Sequence, residues 1–299
     1  MITSEITFEV DGLCCAGTLY RPDAAAGARP CVVMGHGITL TRRDGIPAYA
    51  ERFVAGGVAA LAFDYRHWGS SEGEPRRWFS VRKQRHDWRA AVACARRLEH
   101  VDPDRIAVWG MSMGGAHALM TAAANPQIAA AVALVPCADG LPVALAPAPP
   151  TVVLRTIGRA LREAVTRRPV PVPIAGAPGS LAVSVAPEAL PGFTSVTAGN
   201  GWRNEVSSSG LFAVAGYRPV RHAARIEAPV LLQLGERDSM VPPEPIEKTA
   251  ARARRAELLR YPIDHFGCFA AEHIDQVAAD EVEFLHRHLL GAAIEPSTR

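Results

Sequence analysis

The chain is short of lysine, of long apolar runs and of paired cysteines, and each shortage closes off a class of function. Among 299 residues only Lys83 and Lys248 are lysines, so nearly all of the 32 basic residues are arginine, a usage that reflects codon bias rather than chemistry. They stand against 30 acidic residues, a formal net charge of +2, without the basic excess of a dedicated nucleic-acid binder. No apolar run reaches the about 18–20 residues that a membrane-spanning helix needs. The longest, Ile128 to Val135, has the length of a strand and stops at Pro136. The opening MITSEITFEVDG is acidic and alternating, unlike the basic, apolar, small-residue order of a secretory signal. The six cysteines, at 14, 15, 31, 94, 137 and 268, include no C-x-x-C pair. Adjacent Cys14 and Cys15 are poorly placed for a disulfide. The cysteines read as small buried apolar residues in a reducing cytoplasm, and no metal site is expected from them. With 48% hydrophobic and 21% charged residues, the chain is not globally disordered.

What is present is an alternation of two periodicities. Residues 5–10 and 13–20 alternate around Asp11-Gly12, the signal of a hairpin. Apolar runs at 30–36, 58–65, 105–110, 128–135, 229–235 and 256–262 read as strands. Several are continuously apolar, as in parallel strands covered on both faces. Helical spacing lies between them, over Ala48–Ala55, Val81–His100, Gly114–Ala124, Glu244–Arg254 and Gln276–Leu290. This order predicts a doubly wound α/β fold. The arginines from Arg76 to Arg97 are interleaved with Glu72, Glu74, Asp87 and Glu99, which reads as a solvated helix face rather than a polyanion site.

One region breaks the rhythm. Pro136 to Pro191 holds 11 of the 24 prolines, too many to continue a sheet. Residues 139–222 are therefore expected to be an inserted cap or lid, with the core formed by 1–138 and 223–299. Helices are expected over Thr151–Thr166 and Trp202–Phe212. Phe193, Trp202 and Phe212 argue against a disordered linker.

The strongest chemical signal is Gly110-Met111-Ser112-Met113-Gly114-Gly115, between the strand RIAVWG and the small-residue helix AHALMTAAA. In that setting G-x-S-x-G puts Ser112 on a strained strand-to-helix turn at the carboxyl edge of the sheet. The plain alternative is an N-capping serine. A serine nucleophile needs a base within hydrogen-bond reach. His265 follows the last strand and falls at the same edge, whereas the other histidines lie on helices or in loops without a matching strand; His36 reads as a structural hydrogen-bonder. The base in turn needs a carboxylate to hold its tautomer. Asp238, after PVLLQLG, is preferred, Asp139 is the competitor, and Asp264 reads as turn formation. The order Ser, Asp, His is the one this motif predicts. Two amides should face the oxyanion: that of Met113, after the serine, and that of Ile38, in the turn after PCVVMGH.

On these residues the chain resembles the α/β-hydrolase superfamily, nearest its dienelactone-hydrolase-like and acyl-peptidase-like serine esterases. HG after the third strand, Asp64-Tyr65-Arg66-His67-Trp68-Gly69-Ser70-Ser71-Glu72-Gly73, GMSMGG, GERDSMVPP and DHFG match that family's landmarks across residues 5–138 and 224–290. The resemblance implies a central, mostly parallel sheet flanked by helices, and a Ser112–Asp238–His265 triad. It also implies that the loop Asp64–Gly73 borders the pocket. Asp64 and Arg66 are expected to form a buried ion pair there, and Trp68 and Trp202 to contact substrate. The proline-rich insertion departs from plain dienelactone hydrolases, and so does a serine where those enzymes carry a cysteine. The expected activity is that of a cytoplasmic, carboxylesterase-like hydrolase, cleaving an ester, thioester or lactone of a medium-sized hydrophobic substrate through an acyl-enzyme. Carbon–carbon or amide cleavage, acyl transfer or cyclisation by the same residues stands as the alternative, with a non-catalytic ligand-binding role behind it. No cofactor is implied. The expected partner is a small-molecule substrate, with no nucleic acid and no membrane, and assembly as a homodimer is left open.

Overall fold

A computed structural model describes residues 1–23, 27–145, 149–166 and 168–291. Residues 24–26 and 292–299 of the expected core, and 146–148 and 167 of the expected insertion, lie outside the described residues. The hairpin forms from β1 (Ile2–Val10) and β2 (Leu13–Arg21), turning at Asp11 and Gly12, both at positive φ. There follow β3 (Arg29–Gly35), α1 (Ile46–Ala55), β4 (Ala59–Phe63), α2 (Val81–Ala95), β5 (Val101–Met111), α3 (Met113–Ala124) and β6 (Ala130–Leu134). The chain then leaves the sheet for α4 (Gly140–Ala144), α5 (Pro150–Thr166), β7 (Pro171–Val172), α6 (Ala189–Val196), β8 (Val206–Ser207) and α7 (Ser209–Gly216). It returns through β9 (Val230–Gly235), α8 (Pro243–Arg252), β10 (Ala256–Tyr261) and α9 (Ile274–Leu285), which runs into a π turn over His286–Leu290.

Eight strands form one sheet in the order β1-β2-β4-β3-β5-β6-β9-β10. From β4 to β10 every neighbouring pair is parallel; β2 is antiparallel to both β1 and β4. Within the parallel block, β4, β6 and β9 are buried at every position, as burial under helices on both faces requires. Strand order decides which helix covers which face. β4 lies on one side of β3 and β5 on the other, so right-handed crossovers put α1 and α2 on opposite faces. α3 and α8, whose crossovers run in the same direction as that of α2, join its face, while α9 packs against α1. Where the strand order reverses, the carboxyl ends of β3 and β5 form the crevice in which doubly wound folds place their sites.

Three local expectations are corrected. The helix expected to reach His100 ends at Ala95, because Arg97 and Leu98 donate to Cys94 and Ala95 and tighten the chain into turns. The helix expected over Trp202–Phe212 starts only at Ser209. The Asn204 side chain accepts from the Ile174 and Ala175 amides, both at 2.9 Å, and Val206–Ser207 pairs with Pro171–Val172, so the backbone before Ser209 is engaged elsewhere. Asp64 and Arg66 do not pair with each other. Asp64 binds Arg42, while Arg66 binds Asp87 at 2.5 Å and Asp11 at 2.8 Å, so two buried pairs tie the loop to different parts of the core. All six cysteines are free; five are buried and Cys14 is exposed. Among the described residues no helix is long and apolar enough to cross a membrane.

Candidate active site

β5 ends at Met111 and α3 begins at Met113, which leaves Ser112 alone in the turn at φ 56° and ψ −116°. A β-carbon on Gly110 would stand 2.2 Å from the Gly114 carbonyl, and one on Gly114 would stand 2.2 Å from the Gly35 oxygen. Only glycine at both positions lets the turn close this tightly against β3. The Ser112 amide donates to Leu134 O at 2.9 Å, holding the turn to β6. Its side chain makes no capping bond to α3, so the N-cap alternative fails.

Instead, the Ser112 hydroxyl lies 3.0 Å from His265 Nε2. On the far side of the ring, His265 Nδ1 lies 2.6 Å from Asp238 Oδ2. The carboxylate can only accept, so Nδ1 carries the hydrogen and Nε2 is free to accept from the serine. Asp238 is held by the amides of Met240 and Val241, each donating to Oδ1 at 2.9 Å. His265 and Asp238 side chains are both 2% exposed. The three residues come from the turns after β5, β9 and β10 and meet at one rim of the sheet.

The competitors are engaged elsewhere. Asp139 binds Arg218 through both oxygens, at 2.8 and 2.6 Å, and caps α4 through the Leu141 amide. Asp264 accepts from the Phe266 and Gly267 amides, the turn role expected of it. His36 is buried with Nδ1 2.8 Å from Gly37 O, and burial holds its imidazole below the ordinary value. The turn bearing Ile38 abuts the serine: a β-carbon on Gly37 would be 3.5 Å from Ser112 Cβ. Among the described residues neither the Met113 nor the Ile38 amide has a hydrogen-bond partner.

The two tryptophans separate. Trp68 is 4% exposed within the core, and its indole N–H finds no acceptor among the described residues. Trp202 donates to Thr39 Oγ1 at 3.3 Å, one residue past Ile38, and stacks on Phe193 at 5.3 Å and 6°. Phe193 meets Phe266 edge-on at 4.9 Å, and Phe266 meets His265 at 5.2 Å. Phe193 and Phe266 are not apparent as site residues from sequence; a phenylalanine directly after the histidine, and an aromatic in a proline-rich insertion, are the only signals they leave. Glu188 is a further one: both its oxygens accept from Ser239, the neighbour of Asp238, at 2.7–2.8 Å. α6 and the residues around it thus touch the turns that carry Asp238, His265 and Ile38. Among the described residues no group of three or more His, Cys, Asp or Glu could hold a metal ion.

Comparison with known proteins bears on the family and the fold. A family model described as serine aminopeptidase, S33 matches residues 26–263. The quorum-quenching protein AidA of Acinetobacter baumannii is 37% identical over 288 residues, 95% of this chain and 94% of that protein. The thiohydrolase aneE of Aspergillus aculeatus is 37% identical over 134 residues, 44% of this chain and 41% of its own length. Among solved structures, the α/β hydrolase GrgF from Penicillium superposes with a TM-score of 0.83 at 22% identity, covering 97% of this chain and 100% of that one.

Proposed function

Because the chain belongs to the serine aminopeptidase S33 family of α/β hydrolases, we propose that it is a serine hydrolase cleaving a carboxylic ester, thioester or lactone with a hydrophobic acyl part. The observation that carries this reading is the unbroken run from Asp238 through His265 to Ser112, with the serine on a strained turn. Ser112 Oγ attacks the substrate carbonyl while His265 Nε2 takes its proton. Asp238 keeps the imidazole in the required tautomer and stabilises the imidazolium. The oxyanion of the tetrahedral intermediate accepts from the Met113 and Ile38 amides, whose lack of other partners supports the role. His265 returns the proton to the leaving alcohol or thiol, and water activated by the same imidazole releases the acid.

Residues 139–222 act as a cap on a core of 1–138 and 223–299. The stack of Trp202 on Phe193, with Phe266 beside the histidine, supplies an apolar roof and supports a hydrophobic acyl part. The name of the thiohydrolase relative supports a thioester among the substrates. A fluorophosphonate probe tests the nucleophile directly. The wild-type chain takes the label on Ser112, and Ser112→Ala takes none and lowers kcat on nitrophenyl esters by about 10⁴–10⁶. Undiminished turnover by that variant ends the proposal.

A further inference from the structure

α5 is built inside out. A helix packed on a globular body buries its broad apolar side and shows water its polar side. At about 100° per residue, Val152, Thr156, Ala160 and Glu163 share the side of α5 that faces the protein. That side is narrow and mixed in character; Glu163 is buried there, accepting from the Val170 amide at 3.0 Å and from Ser208 Oγ at 2.9 Å. The opposite side carries Leu154, Ile157, Leu161 and Val165, exposed by 69, 40, 62 and 83%. A contiguous apolar stripe on one helix is a surface that a chain free in water rarely leaves uncovered. α7, which packs against α5, leaves Phe212 exposed as well.

The charge beside the stripe selects what covers it. Arg155, Arg159 and Arg162 line one flank of the exposed face. Arg159 donates to Pro171 O at 2.7 Å, while Arg155 and Arg162 have no acidic partner among the described residues. The one carboxylate of the helix, Glu163, is turned inward. A second copy of α5 would bring like charge against like charge. A layer of anionic headgroups over hydrocarbon matches both features at once: arginine at the phosphates and leucine at the acyl boundary.

We propose that α5 is an interfacial helix that lies on an anionic lipid surface, inserting Leu154, Ile157, Leu161 and Val165 and setting Arg155 and Arg162 among the headgroups. At 17 residues, with a buried carboxylate on its inner side, it lies on the surface and does not span. This departs from the expectation of no membrane partner, which rested on the lack of a spanning segment. The inference is independent of the chemistry at Ser112.

The test is co-sedimentation of the full chain with vesicles of phosphatidylcholine alone and of phosphatidylcholine mixed with phosphatidylglycerol. The wild type partitions onto the mixed vesicles, not onto phosphatidylcholine alone, and is released by about 0.5 M salt. The double variant Leu154→Asp/Leu161→Asp loses about tenfold or more of that partitioning. Arg155→Gln/Arg162→Gln loses the preference for the anionic vesicles. Both variants keep the wild-type Tm, since none of the four side chains is packed in the core. Wild-type chain that stays in the supernatant with both vesicles overturns the proposal. So does binding that the leucine variant leaves unchanged, and so does a homodimer that the leucine variant dissociates while vesicles bind nothing.

Discussion

Ser112 sits in a backbone conformation that side-chain-bearing residues seldom adopt, and the rest of the turn exists to tolerate it. Its φ of 56° is held by the bond from its amide to Leu134 and by glycines at 110 and 114 that admit no β-carbon. Strain of this kind persists where surrounding contacts over-determine the position, and it clusters at functional sites. The two candidate acids are separated by their partners rather than by their exposure. Both are buried and both follow a strand, but Asp238 faces His265 and Asp139 faces Arg218. Asp238→Asn should lower kcat by about 10³–10⁴, because an amide donates where the imidazole needs an acceptor. Asp139→Asn should leave kcat within a few fold and lower Tm, because it weakens the Arg218 pair and the α4 cap. Steady-state kinetics with a melting curve on each variant separates the two; a larger kinetic loss at position 139 would reverse the assignment.

Among the elements, α6 does the most for so short a helix. Glu188 at its start holds Ser239, and Phe193 in its middle presses on Phe266, which only Gly192 allows, since a β-carbon there would stand 2.0 Å from the Phe266 ring. Downstream, Asn200 donates to Asp44 Oδ1 at 2.6 Å and Trp202 reaches Thr39. Under this cover Ser112 is 8% exposed and His265 1%. Trp202→Ala should widen the roof without touching the proton relay. KM for hydrophobic acyl esters is expected to rise about tenfold while kcat stays within a few fold. An equal loss in kcat and kcat/KM would place the tryptophan in the transition state instead.

At the scale of the molecule, α9 presses against the sheet a buried acid that no proposed step uses. Glu281 on α9 accepts from Trp109 Nε1 of β5 at 3.0 Å, and its other oxygen has no partner among the described residues. Burial pushes its carboxyl well above the ordinary value of 4.5, so the folded chain keeps the proton. Above about pH 4.5 the unfolded chain releases that proton and the folded one holds it, so folding stability falls as pH rises towards the folded value. Glu281→Gln retains an acceptor for Trp109 and removes the slope. Relative to wild type, the variant should gain Tm as the pH rises above about 4.5, and identical pH profiles would refute the assignment of a neutral Glu281.

The strands, the turn at Ser112 and the order of Ser112, Asp238 and His265 are legible in the linear chain. Each rests on local information: apolar runs set the strands, glycine spacing sets the turn, and a residue directly after a parallel strand must emerge at the carboxyl edge. The partners of Asp64 and Asp139, the roof made by Phe193 and Trp202, and the outward apolar face of α5 are not. Each depends on which side chains meet across wide separations, 73 residues from Phe193 to Phe266 for example, and periodicity carries no information at that range. Periodicity shows that α5 has two faces; only packing decides which of them meets the protein.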